Sequence, residues 1–179
     1  MRKDWIIGVL LLFLIVGIFF DKQIVNFVVG HRIYFLNPIM QYISLIGSAF
    51  FVFLFSTLLL VFDKKGRKYI PALWLTIILT LGIVYLLKIL IARPRPLVNT
   101  LENISSYAFP SGHAAGVFAP LLLIDKFYPK IKWIWLGFAV LVLFSRIYLG
   151  VHYLSDVIGG ALIGYLLSIF VLRFLKISF

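Results

Sequence analysis

Cysteine is absent, which excludes disulfides, thiolate nucleophiles and thiol metal sites. Charge is scarce. Only 13% of the 179 residues are Asp, Glu, Lys or Arg, against about a quarter in a soluble domain. The acids are the rarer sign, 6 against 17 Lys+Arg. What fills the chain instead is apolar, 63% of residues. That excludes a disordered protein, which needs low hydrophobicity, and points to a polytopic membrane protein. The length suits one compact helical domain over residues 1–179 with no separate soluble domain. In a soluble protein a formal charge of +11 would suggest nucleic acid. Here the basic residues flank apolar runs and read as topology signals, so no nucleic-acid partner is expected.

A bilayer core takes roughly 20 apolar residues in a helix. The sequence predicts an all-α bundle of six transmembrane helices and a short interfacial helix. The spans fall at Trp5–Phe20, Pro38–Phe62, Tyr69–Ala92, Gly112–Phe127, Trp133–Leu149 and His152–Leu175. Arg2 and Lys3 resemble the start of a signal peptide, but no small-residue cleavage site follows, so the first span is read as retained. Asp21–Leu36 mixes apolar residues with Gln23, Asn26 and His31 and suits a helix lying in the interface. Asn37-Pro38 reads as a helix cap with proline at the first position. Trp133, Trp135 and Tyr69 read as interfacial anchors. Gly160 and Gly164, four apart, read as a close-packing seam inside the bundle.

Orientation follows from the short loops. Arg2, Lys3 and the basic residues of 64–68, 126–132 and 173–176 share one side, leaving six of the 17 Lys+Arg on the other. The richer side is expected in the cytoplasm, with both termini. Four of the six outer cations gather at the ends of the later spans, beside residues that carry chemistry.

An ionisable residue near a membrane helix costs about 2.5–3.5 kcal/mol at mid-bilayer and less near its edge, so it is a functional candidate. Lys88, Arg93, Arg95, His113, Arg146, His152 and Asp156 all fall at outer ends of spans three to six. Four fixed cations with one carboxylate want an anion, and arginine matches phosphate geometry. Arg95-Pro96 follows Lys88 after a helix break that lets Arg95 fold back toward it. Alone, these could be a snorkelling lysine and flanking charges. In Pro110-Ser111-Gly112-His113, Ser111 is placed to cap a helix, Gly112 lets a ligand approach the backbone, and the helix N-terminus attracts phosphate. His113 would stand beside that phosphate as acid or base, or be an interfacial histidine. His152 and Asp156 are four apart, so the carboxylate can fix the imidazole tautomer and leave the other nitrogen free to attack. Asp156 could equally neutralise a structural pair. Two histidines and an aspartate could hold a cation, but the surrounding Lys and Arg oppose it. Residue chemistry alone does not decide which histidine attacks.

Taken together, Lys88-x6-Arg95-Pro96, Pro110-Ser111-Gly112-His113 and Ser145-Arg146-x5-His152-x3-Asp156 resemble the three-part signature of the type 2 phosphatidic acid phosphatase family. That family shares its site with vanadium-dependent haloperoxidases. One motif would be weak evidence; three in order are specific. The resemblance implies that His152 is the nucleophile and forms a phosphohistidine. Asp156 would orient it, and His113 would protonate the leaving oxygen and then activate water. Lys88, Arg95, Arg146, Ser111 and the Gly112 amide would bind the phosphate oxygens. No metal and no cofactor are expected, because cations and a helix N-terminus can stabilise the transferring phosphoryl group. Arg93 lies outside the signature and reads as a secondary substrate or headgroup contact.

The short loop from Leu97 to Phe109 offers no way to capture a water-soluble substrate. A lipid phosphate at the interface fits best: an isoprenyl diphosphate such as undecaprenyl diphosphate, a phosphatidylglycerol phosphate, or phosphatidic acid. Membrane lipids are the expected surroundings, and the sequence leaves the oligomeric state open. The site is expected on the extracytoplasmic face of the cell (inner) membrane. A lipid phosphotransferase would use the same intermediate with another acceptor. An anion or phosphate transporter would carry polar residues to the midplane and usually a repeat, and neither is present. A haloperoxidase gains nothing from a site at a lipid edge.

Overall fold

The computed structural model describes residues 4–96, 98–102 and 104–179. Arg2 and Lys3, counted above as cytoplasmic charges, and Leu97, the start of the loop, lie outside them. The described residues are helical throughout their ordered elements: α1 Asp4–Gly30, α2 Leu36–Ile46, α3 Ala49–Phe62, α4 Ile70–Ile91, α5 Gly112–Phe118, α6 Leu121–Phe127, α7 Ile131–Tyr148 and α8 Leu154–Phe174, with a 3₁₀ turn at Arg67–Tyr69. Among them, four helices are long and apolar enough to cross a membrane, and five crossings result if the α2–α3 pair is one bent span.

The first correction concerns α1. The expected span and interfacial helix are one continuous helix. Its inward positions Leu10, Gly17, Asp21, Val25 and Val29 are all buried and recur at the spacing of a single helical face. Asp21 therefore does not start a new element; it sits on the packed face. Gly17 brings α1 against α8: a methyl there would stand 2.7 Å from the Ser155 amide nitrogen.

The expected second span is broken by 60° between α2 and α3. Gly47 at the bend presses on α7, where a methyl would lie 2.5 Å from a Val142 methyl. Helix α2 starts a residue before Asn37, and the Asn37 side chain accepts from the Tyr148 hydroxyl at 2.9 Å instead of capping. The segment expected as the fourth span is two seven-residue helices, α5 and α6, parted at Ala119-Pro120. Proline cannot continue the hydrogen-bond ladder. Ala114–Ile124 are buried throughout, so this broken segment runs through the middle of the bundle and takes its stability from packing.

Trp135 is a further correction. It is not an interfacial anchor; it is buried, and its indole donates to the Val117 carbonyl at 2.9 Å. Trp133 is exposed, and Tyr69 packs at a tilt against Phe127 with centroids 5.1 Å apart.

Glycines of α8 set the distance to α5. A methyl at Gly159 would stand 2.5 Å from the Phe109 ring, and methyls at Gly160 and Gly164 would strike the Ser111 and Ala115 carbonyl oxygens. The small-residue seam expected from Gly160 and Gly164 is thus present, extended by one residue. Because backbone cannot yield, Gly160→Ala is expected to cost about 1–3 kcal/mol. Thermal unfolding in detergent should show a lowered Tm, and the control Gly137→Ala, which has open space around it, should not show the same loss.

The outward faces carry large apolar side chains, including Ile18, Phe19, Phe62 and Phe174, as a helical bundle does in lipid. The protein is an integral membrane protein.

Candidate active site

The site residues lie on four chain segments that meet at one end of the bundle. Helix α4 ends at Ala92 in the left-handed conformation (φ 46°), and the proline-rich segment then turns back across the bundle. Lys88 Nζ donates to the Tyr107 carbonyl at 2.5 Å and to that of Ala108 at 3.3 Å. Arg95 donates to the same Tyr107 carbonyl at 3.1 Å, to the Ser106 carbonyl and hydroxyl at 2.6 and 3.0 Å, and to the Val151 carbonyl at 2.7 Å. The expected fold-back of Arg95 toward Lys88 is therefore present, and the 106–108 backbone is the strap that joins them.

Arg95 also reaches His152. Its Nη1 lies 3.0 Å from Nε2, so Nε2 accepts and the ring proton resides on Nδ1. Nδ1 faces Asp156 Oδ2 at 3.4 Å. His152 lies in the turn before α8 and is 2% exposed. Burial first, then the charges of Arg95, Arg146 and Lys88, hold it well below the usual imidazole range, so it is neutral at pH 7 with a lone pair on Nε2. Burial and the neighbouring Arg146 lower Arg95 to about 10, which leaves it charged at neutral pH.

Helix α5 starts beside Asp156. Ser111 occupies the cap position, but its hydroxyl makes no capping bond. Its Oγ is buried and unpartnered among the described residues, while its amide donates to the Asp156 carbonyl at 3.0 Å. A buried hydroxyl without a partner costs about 1–3 kcal/mol unless something fills the place. Gly112 carries no side chain to block the helix N-terminus. His113, one residue further, lies in the field of Arg146, His152, Arg95 and Lys88. Hydrogen bonds and nearby charge thus bring Lys88, Arg95, Ser111, His113, His152 and Asp156 together, with Gly112 between Ser111 and His113.

Arg146, at the end of α7, is 1% exposed. Its Nη1 donates to Ser44 Oγ and, at 2.8 Å, to Glu102 Oε2, while Nε has no partner among the described residues. Ser145 is turned away and donates to the Val142 carbonyl at 2.7 Å. Gly150 closes the turn at φ 75°, a conformation that suits glycine.

Arg93, read from the sequence as a secondary substrate or headgroup contact, is tied to two carboxylates. Nη1 donates to Asp156 Oδ1 and Ser155 Oγ, both at 2.6 Å, and Nη2 to Asp21 Oδ2 at 2.7 Å. Two carboxylates outbid a solvent-facing role. Sequence reasoning also passed over Asp21, Ser44, Glu102 and Ser106. The available signal was scarcity: of the 6 acidic residues, Asp21, Glu102 and Asp156 each hold an arginine at this end.

The profile of the PAP2 superfamily matches residues 70–178, which contain every motif residue above. The chain belongs to the PAP2 superfamily. It is 33% identical to an undecaprenyl-diphosphatase of Sulfolobus acidocaldarius over 92% of this chain and 88% of that protein. It is 34% identical to phosphatidylglycerophosphatase B of Bacillus subtilis over 86% of this chain and 82% of that one. A crystal structure of a transmembrane PAP2 type phosphatidylglycerolphosphate phosphatase from B. subtilis superimposes with a TM-score of 0.79 at 28% identity, covering 97% of each chain. Aquifex aeolicus LpxE superimposes with a TM-score of 0.77 at 29% identity, covering 86% of this chain and 94% of that one. This PAP2 protein is a membrane lipid phosphatase, a hydrolase of phosphate esters.

Proposed function

We propose that this PAP2 phosphatase removes phosphate from a membrane lipid through a phosphohistidine on His152, without metal or cofactor. The single observation that carries the reading is the pair of neighbours on the two ring nitrogens of His152. Nδ1 faces a carboxylate and Nε2 faces a phosphate-binding arginine. The lone pair on Nε2 attacks phosphorus where Arg95 now sits, and Arg95 shifts its donors to the phosphate oxygens. The bond from phosphorus to the lipid oxygen breaks as His113 delivers a proton to that oxygen. Water, deprotonated by His113, then attacks the phosphohistidine and releases phosphate, with the electron pair returning to Nε2. Lys88, Arg95, Arg146, the Ser111 hydroxyl and the Gly112 amide neutralise the charge spread over the equatorial oxygens.

The preferred substrate is a polyprenyl diphosphate such as undecaprenyl diphosphate, with phosphatidylglycerol phosphate as the runner-up. Both are named among the relatives. The whole chain, 1–179, acts as one domain with six crossings, α2–α3 counting as one and α5–α6 as another. The site faces the extracytoplasmic side of the cell membrane. What supports the orientation is the use of the cations at the site end. Lys88, Arg93, Arg95 and Arg146 are consumed by the site, and Arg32 holds the Tyr148 and Asn99 carbonyls at 2.6 and 2.5 Å. The basic residues of 64–68, 126–132 and 173–176 at the other end outnumber them and act as the retention signal. A terminal tag reachable only from outside intact cells would overturn the orientation.

The test is phosphate release by purified protein in detergent with EDTA, over a panel of lipid phosphates. Activity should survive EDTA and be highest with the polyprenyl diphosphate. His113→Ala should slow turnover about 10²-fold, with the leaving-group proton no longer supplied. Unchanged turnover in that variant removes His113 from the scheme, and phosphate passed to an alcohol instead of water marks a transferase.

A further inference from the structure

We infer that Asp21 of α1 and Arg93 form a positioning relay for the reaction at His152. This rests on His152 as nucleophile. Asp21 lies outside the matched family region and is 7% exposed. A buried carboxylate is tolerated only when its lone pairs are filled. Asp21 accepts from the Ser155 amide at 2.9 Å, from the Ser155 hydroxyl, and from Arg93 Nη2 at 2.7 Å.

The guanidinium is fixed on three sides. Asp21 holds Nη2, Asp156 Oδ1 holds Nη1, and Cζ lies over the Tyr153 ring, 4.4 Å from its centroid. Arg93 therefore occupies one oxygen of Asp156. The other oxygen takes the Tyr153 amide at 2.8 Å and faces His152 Nδ1 at 3.4 Å. Rotation of the carboxylate would move that oxygen away from the imidazole. The relay stops the rotation, and α1, which carries none of the signature motifs, thereby acts on the attacking nitrogen at two removes. Neither Asp21 nor Arg93 bonds to His152 itself; both act through Asp156.

The relay differs from a plain structural tie between α1 and α8 and from a substrate contact in what it does to kinetics. Misplacing a reacting group can cost about 10²-fold in rate. For Asp21→Asn in the full-length protein in detergent, kcat should fall at least about 10-fold with KM nearly unchanged. Arg93→Ala should do the same, Arg93→Lys should recover part of the loss, and Asp21→Asn combined with Arg93→Ala should be no worse than Arg93→Ala alone. If Asp21→Asn is not monodisperse, Arg93→Lys carries the test, because one ammonium cannot bridge both carboxylates as a fork; it should still lower kcat without raising KM. Wild-type kcat in folded variants, strictly multiplicative losses, or a raised KM at constant kcat would overturn the relay while leaving the lipid phosphatase intact. Phosphate release by the wild type that does not require His152 would instead remove the nucleophile, and the relay with it.

Discussion

His152→Ala is expected to lower lipid phosphate release by about 10⁴-fold or more, as loss of a nucleophile does. It should also abolish acid-labile phosphoryl label on the protein after a quench with labelled substrate. The loss is chemical, not a failure to fold. Asp156 keeps Arg93 at 2.6 Å and the Tyr153 amide at 2.8 Å, so its charge stays paired when the imidazole goes. Arg95 keeps four carbonyl or hydroxyl partners. The variant should elute as a monodisperse peak and bind inorganic phosphate, because the cations and the α5 N-terminus remain. Full turnover in a folded His152→Ala protein would reject the nucleophile. The second expectation separates His152 from its partner histidine. His113→Ala should let labelled protein accumulate with substrates whose leaving group needs no protonation, because the second step then lacks its base.

The three motifs were readable because each is local. Lys88 and Arg95 are seven residues apart, His152 and Asp156 four, and Pro110–His113 are consecutive, so a short stretch encodes each part even though Arg95 and His152 lie outside the helices. The relay was not readable because its ends are 72 residues apart. Asp21 looked like the edge of the first span, where charges are ordinary, and only the packed face through Leu10, Asp21 and Val25 shows that the helix runs on. The same holds for Glu102, which is 44 residues from Arg146 and carries no motif. Periodicity located α4, α7 and α8 well, since each is a continuous apolar helix. It failed at Gly47 and Pro120 for opposite reasons. Gly47 bends the chain because of a neighbour, Val142, that sequence cannot place. Pro120 breaks a run whose uniform hydrophobicity reads as one span, yet the two pieces stay buried because the glycines of α8 admit them.

Arg146→Met should reduce kcat/KM by about 10²–10³-fold, the usual cost of one donor to a developing oxyanion. Removing this side chain is tolerable for folding because its two partners have other recourse. Glu102 is 26% exposed and can turn to water, and the Ser44 hydroxyl can bond its own helix. Arg146→Lys should recover only part of the activity, since an ammonium cannot span two phosphate oxygens as a fork. The carboxylate on Arg146 adds a sign that a steric account does not give. Glu102 accepts from Nη1 at 2.8 Å, and under the proposed mechanism a phosphate oxygen would take that place, so substrate and carboxylate would compete. Glu102→Gln removes the negative charge and should strengthen inhibition by inorganic phosphate several-fold, most at low ionic strength. Combined with Arg146→Met, the Glu102 substitution should have no further effect, because the competition exists only where the guanidinium does. Weaker phosphate inhibition in Glu102→Gln would mean that the carboxylate aligns Arg146 for the substrate instead of holding its place.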